Sequence, residues 1–306
     1  MTALESAEAT DAAPPGAAHA AHDLWTPIEL TLLGAIWGSS FLFMRIAAAD
    51  FGPLPLVEVR LVAGVAILLP FLWRARSRIT PRHWLRFAVI GSLNSAIPFS
   101  LFAWGAERAP AGIGAIANSM TALFAALVAF LVFGERIGLR RAIALVVGFV
   151  GVVILASGRT AGANVTGAAI AGAVASLCYG FALNFTRHWL SDLPPVVGVA
   201  GTLTCATLMA LPLAIMTWPA TPIPSMSWVA AMLLGVLCTG FAYWLFFRLI
   251  QRVGASRAST TTYLVPIFGV AWGWLLLGEQ PTITMIASAA LILGSVILSQ
   301  RAVPRA

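Results

Sequence analysis

Any chemistry in this chain rests on a handful of ionisable side chains set among long apolar runs. Arg45, Glu58 and Arg60 fall within one stretch, and Glu135 and Glu279 each follow a glycine at the end of an apolar run, in Leu-Val-Phe-Gly-Glu and Leu-Leu-Leu-Gly-Glu. A carboxylate in an apolar setting either carries a proton or pairs with a cation. Residues 58 and 60 do not face one another on a helix, so they need different partners; the spacing predicts a Glu58–Arg45 pair instead. Glu135 and Glu279 are expected to meet the N-terminus of the following helix, where a carboxylate is favoured. These five residues are the candidates for gating and structural charge. Enzyme signatures are missing: His19, His22, His83 and His188 lie outside the apolar runs, and no Walker A sequence occurs. No set of metal ligands faces a shared cavity. Nothing requires a cofactor.

Uncharged polar residues inside the apolar runs form a second group. Asn94 and Ser95 precede Pro98, and Asn118, Ser119 and Thr121 follow in the next run. Further along come Asn184, then Thr239 and Tyr243, then the run Ser259 to Tyr263, which contains Thr261. Amides and hydroxyls in such places need partners, which substrate, cavity water or a neighbouring helix supplies. The sequence leaves those readings open for each residue. Ser40 and the aromatic side chains Trp37, Phe41, Phe99, Tyr179, Tyr243 and Tyr263 could hold an aromatic or amphipathic compound by stacking and hydrogen bonding. Interfacial anchoring is the competing use, above all for Trp104 and Trp244.

The elements that carry these residues follow from composition. Of 306 residues 60% are hydrophobic and 9% charged, against about 25% charged in soluble domains; the mean hydropathy is +0.92. A spanning helix needs about 20 apolar residues, and the chain reads as ten spans. They are expected at 28–48, 55–73, 84–106, 112–133, 142–157, 167–187, 195–217, 228–248, 258–277 and 283–299, with prolines marking most of the breaks. Residues 1–27 read as a disordered cytoplasmic tail without a signal peptide. Cys178, Cys205 and Cys238 sit in apolar runs and suggest no disulfide. All 18 basic residues are Arg. With the N-terminus inside, only Arg45, Arg60, Arg108 and Arg159 fall on the outer side, and the other fourteen lie inside. That is the positive-inside bias, with both termini cytoplasmic, and not a nucleic-acid footprint.

The two halves of the chain repeat one another. At an offset of 142, Gly38, Phe43 and Arg45 meet Gly180, Phe185 and Arg187. At 144, Trp84 meets Trp228, Gly91 meets Gly235, Phe124 meets Phe268 and Gly134-Glu135 meets Gly278-Glu279. At 143, Gly151 meets Gly294. Each half has five spans, an odd number, so the halves insert with opposite topology, as in secondary transporters that bind substrate at the repeat interface. Residues 28–157 and 167–300 are the two expected units.

Trp37-Gly38 with Arg45, Arg60, the two Gly-Glu endings and the Gly151 and Gly294 helices make the sequence resemble the drug/metabolite transporter superfamily, EamA type, over roughly residues 28–300. The resemblance implies an all-α membrane fold of ten helices, in two inverted five-helix repeats. It also implies that spans one, three, four, six, eight and nine line a central cavity. The expected function is secondary, ATP-independent export of a small organic metabolite across a bacterial inner membrane, as a monomer or homodimer. Amino acids are the favoured substrate class, with aromatic amino-acid exporters as similar proteins. Exporters of drugs or other metabolites are the alternative; a membrane scaffold or an intramembrane enzyme fits less well.

Overall fold

In a computed structural model, residues 25–300 form a helical bundle with no strand among them. The order is α1 (Trp25–Phe51), α2 (Pro53–Arg74), α3 (Pro81–Arg108), α4 (Ala111–Phe133), α5 (Leu139–Ser157), α6 (Val165–Trp189), α7 (Pro195–Met216), α8 (Ser225–Val253), α9 and α10 (Ile283–Gln300). The ninth element begins with a short turn, Ala255–Ala258, and continues as Thr261–Leu277. Eight of these helices have the length and apolarity to cross a bilayer, and Thr261–Leu277 and Ile283–Ser299 are shorter apolar helices. The first helix begins at Trp25, inside the expected tail; residues 1–24 of that tail lie outside the described residues.

Local sequence sets the ends and the irregularities. Pro53, Pro81 and Pro195 start their helices, where a missing N–H is harmless. The start of α3 is held by a capping box of Thr80 and His83; His83 also meets Asp192 at 2.9 Å and holds that carboxyl below the usual aspartate range. Two π-helical segments interrupt α3 at Ser92–Ala96 and α8 at Val236–Phe241. Their starts are 144 residues apart, the offset of the sequence repeat. In α3 the cause is Pro98, which has no N–H for the Asn94 carbonyl four residues earlier. In α8 the Thr239 hydroxyl donates to the Leu234 carbonyl at 2.9 Å and completes the wider turn.

Packing follows the repeat. Helix α1 crosses α9, and α6 crosses α4. Glycine permits both crossings: a Cβ on Gly38 would stand 2.6 Å from Phe268 Cβ, and one on Gly180 would stand 2.8 Å from the Phe124 backbone. Helices α2 and α7 pair across the halves, and α5 pairs with α10. Large apolar side chains remain outward, among them Leu131, Leu139 and Ile283. An apolar surface of that extent is what lipid requires. The fold is an all-α integral membrane bundle of two inverted five-helix repeats.

Candidate functional site

The two Gly-Glu endings are the same device at opposite ends of the bundle. Gly134 and Gly278 both take φ +69°, the left-handed turn that glycine accepts readily. Each turn folds the chain back over its own helix, so that Glu135 N–H donates to Ala129 O at 3.0 Å and Glu279 N–H to Gly273 O at 3.1 Å. The carboxylates then lie across the seam with the other half. Arg45 Nε donates to Glu279 Oε1 at 3.2 Å, and Arg187 Nη1 donates to Glu135 Oε1 at 2.9 Å. Arginine and glutamate therefore pair crosswise, α1 with α9 and α6 with α4.

The two pairs differ in closure. Glu279 Oε2 also accepts from the Ala111 amide at 2.9 Å, and Arg45 Nη1 donates to the carbonyls of Ala106 and Glu107 at 2.9 and 3.1 Å. At the other end Ala255, the repeat counterpart of Ala111, is exposed and its amide meets no carboxylate among the described residues. Side-chain exposure is 35% and 15% for Arg45 and Glu279, but 69% and 37% for Arg187 and Glu135. A cleft of about 720 Å³ opens beside the first pair, lined by Arg108, Arg159, Asn164 and Gln280 among others.

Two sequence expectations are corrected here. Glu58 does not pair with Arg45; it is buried, and neither of its oxygens has a hydrogen-bond partner. The free carbonyls ending α3, the negative end of that helix, draw Arg45 away from α2. Glu279 does meet a helix N-terminus, but that of α4 in the other half rather than that of the following helix. Glu135 meets Arg187 and, among the described residues, no helix start.

Between the two ends lies Arg60. It stands about 10 Å along α2 from Pro53, at 1.5 Å per residue, and is only 7% exposed. Its Nε donates to Thr239 Oγ1 at 3.0 Å, Nη1 lies 3.9 Å from Met44 Sδ, and Cζ sits 3.6 Å from the Phe99 ring centroid. Because the Thr239 proton is committed to Leu234 O, its oxygen is free to accept from Arg60. Tyr179, Tyr243 and Cys238 are the other ionisable side chains that act on the guanidinium. Further aromatic contacts extend the shell: Phe41 on Phe102 at 5.4 Å, Phe102 on Tyr179 at 6.1 Å, and Trp37 on Tyr243 at 6.3 Å. Asn94, in the π segment of α3, lies near Tyr243. Ser39 touches Cys238 at 3.5 Å, and Ser40 is buried beside it.

The candidate residues thus fall into two groups. Phe99 and Thr239 touch Arg60, Tyr179 and Tyr243 lie near it, and Trp37, Ser40, Phe41 and Asn94 stand behind these neighbours, the set coming from α1, α3, α6 and α8. The rest sit elsewhere. Asn184 spends its amide on Ala125 O and Gly180 O, both at 2.9 Å, tying α6 to α4. Asn118 and Ser119 lie at the break in α4, at residues 119–120, where the Asn118 carbonyl accepts from Thr121 and the Ser119 hydroxyl reaches Ala115 O. Thr261 buries its hydroxyl without a partner, and Tyr263 packs with the cluster of Met120 and Leu123. Sequence reasoning placed Arg60 among the gating charges and passed over Met44 and Phe102. The available signal was depth: Arg60 lies about one and a half helical turns inside its expected span.

Comparisons with known proteins agree with this architecture. The EamA-like transporter family matches residues 25–157 and again 166–300. The uncharacterised transporter YoaV of Bacillus subtilis (strain 168) is 24% identical over 276 residues, 87% of this chain and 92% of that protein. Protein PecM of Dickeya dadantii (strain 3937) is 25% identical, over 87% of this chain and 89% of that one. The uncharacterised inner membrane transporter YedA of Escherichia coli (strain K12) is 26% identical over 82% of each chain. One crystal structure superposes with a TM-score of 0.61 at 16% identity, over 91% of this chain and 98% of the other, a likeness of fold alone. Two matched repeats, related by inversion and locked crosswise by their own Arg and Glu, place the chain in a family of membrane transporters: it belongs to the EamA-like transporter family.

Proposed function

We propose that this protein is a secondary exporter that moves small amphipathic metabolites, amino acids above all, out of the cell by alternating access across a bacterial inner membrane. The observation that carries the reading is the unequal closure of two equivalent locks. Arg45–Glu279 is capped by the Ala111 amide and is less exposed than Arg187–Glu135, which supports a carrier held more tightly at the first end than at the second. The arginine bias orients the molecule: the exposed lock lies at the arginine-rich end, so that end faces the cytoplasm, with both termini. Solute entering there reaches the aromatic and hydroxyl groups around Arg60, and leaves past Arg45 once that lock opens. The π segments of α3 and α8 lie midway along their helices and supply the irregular backbone that transporter sites use.

The test is counterflow in proteoliposomes preloaded with single unlabelled amino acids, with entry of labelled phenylalanine or leucine as the readout. Accumulation above protein-free vesicles, abolished by Glu135→Arg or Glu279→Arg, is the expected result. Folded protein that gives no accumulation with any amino acid would remove amino acids as the substrate class and leave the family fold intact.

A further inference from the structure

We infer that Arg60 is the recognition site for a carboxylate on the transported solute. This rests on the transporter reading above and names the part of the substrate that the site binds. A guanidinium carries five N–H donors and a permanent charge. In this protein its contacts are a threonine oxygen, a thioether sulfur and the face of a phenyl ring, all neutral. No carboxylate lies within ion-pair distance of Arg60 among the described residues. Glu58 is nearest in sequence, but it lies two positions away on a helix of 3.6 residues per turn and points to a different face.

Buried charges in proteins are paired, and inside a membrane the pairing marks a substrate or ion path. The guanidinium is buried but not wholly sealed. Glu58, Ser95 and Thr261 have polar atoms sealed without a partner, whereas Arg60 Nη2, which makes no hydrogen bond among the described residues, is not sealed in this way, and the residue keeps 7% exposure. Thr239 fixes the guanidinium through Nε, so its outer edge can meet an anion by the two parallel bonds that arginine offers a carboxylate.

The shell narrows the ligand class. Phe99, Phe102, Tyr179 and Tyr243 form aromatic walls, and the polar groups between them are two phenols and the Asn94 amide. A phosphate with its larger charge needs several backbone N–H or cationic donors, and Arg60 is the one cation in this shell. The site therefore suits a single carboxylate with an apolar or aromatic tail. It disfavours cationic amphiphiles, which bring a like charge to Arg60.

Thermal unfolding of the purified full-length chain in detergent tests recognition without transport, using four probes of one skeleton: phenylacetate, L-phenylalanine, phenethylamine and 2-phenylethanol. Both carboxylates should raise the wild-type midpoint, and the amine and the alcohol should not. Arg60→Gln should lose the carboxylate response while unfolding no lower than wild type when empty, because the variant removes an unpaired buried cation. Thr239→Val keeps the charge but frees the guanidinium, and should need roughly tenfold more carboxylate for the same shift, about 1.4 kcal/mol of binding energy; it serves if Arg60→Gln does not fold. An amine response equal to that of the acid, an unchanged carboxylate response in Arg60→Gln, or no wild-type response to either acid would each overturn the assignment. Counterflow separates the two levels. An Arg60-dependent shift without counterflow sinks the exporter and keeps the site, whereas counterflow that accepts phenethylamine as readily as phenylalanine sinks the site and keeps the exporter.

Discussion

Glu279 holds three elements at one point: the end of its own helix, Arg45 of α1 and the first amide of α4. Its twin Glu135 holds two, in a more exposed setting. The difference sets the cost of losing each. Glu279→Gln removes a charged, partly buried hydrogen-bond network and should cost about 2 kcal/mol. Glu135→Gln removes an exposed ion pair worth less than about 1 kcal/mol. Unfolding midpoints of the two variants should therefore fall unequally, and equal losses would show that the two ends are equally closed. Part of this is legible in the amino-acid sequence. Offsets of 142 and 144 identify Arg45 with Arg187 and Glu135 with Glu279, yet an offset names equivalents and not neighbours. The inversion that brings the end of α1 to the end of α9 is a property of the assembled bundle, so the Glu58–Arg45 pair drawn from proximity in sequence fails. Arg60 is visible as a charge within a span, but its surroundings come from four other helices.

Helix crossings are set by glycine. At Gly38 and Gly180 an added Cβ would fall at 2.6 Å and 2.8 Å from the partner helix, and for Gly180 the obstacle is backbone, which has no rotamer to change. Gly180→Val should cost about 3 kcal/mol or more, beyond the usual range for overpacking. Gly38→Val should cost a similar amount, since Phe268 Cβ moves only with its backbone and the backbone of Phe268 and Gly269 stands about 3 Å away. Gly294→Ala is the control: a Cβ there meets nothing within 4 Å, so folded yield in detergent should be unchanged. Ten elements are readable from apolar length, proline breaks and the arginine-free interiors of most runs, and their bounds move by only a few residues. The π segments are not readable. Pro98 marks a disturbance in α3, but α8 carries the matching segment with no proline, through a threonine whose hydroxyl closes the wider turn. A hydroxyl in a span has many such uses, and only the observed geometry selects one. The same holds for Asn184, whose place in an apolar run fits a cavity as well as the helix contact it makes.

At the scale of the whole molecule the repeat predicts symmetry, and the structure departs from it in the closure of the two ends. Ala111 is buried under the Arg45–Glu279 lock, and its counterpart Ala255 is exposed. With Cys178, Cys205 and Cys238 replaced by alanine, Ala255→Cys should react with an impermeant maleimide applied from the arginine-rich face, and Ala111→Cys should stay protected from the other. Adding Glu279→Gln should expose Ala111→Cys. Rapid labelling of Ala111→Cys with the lock intact would mean that the bundle rests in the opposite state. The crosswise pairing has one more consequence. Each half holds one arginine and one glutamate of the locks, Arg45 with Glu135 and Arg187 with Glu279, and neither half can satisfy its own two members because they sit at opposite ends. The complement of either half is an upside-down copy of itself. Five helices of this kind, inserted in both orientations with equal ease, would assemble as an antiparallel homodimer carrying both locks, encoded by a chain of half the length.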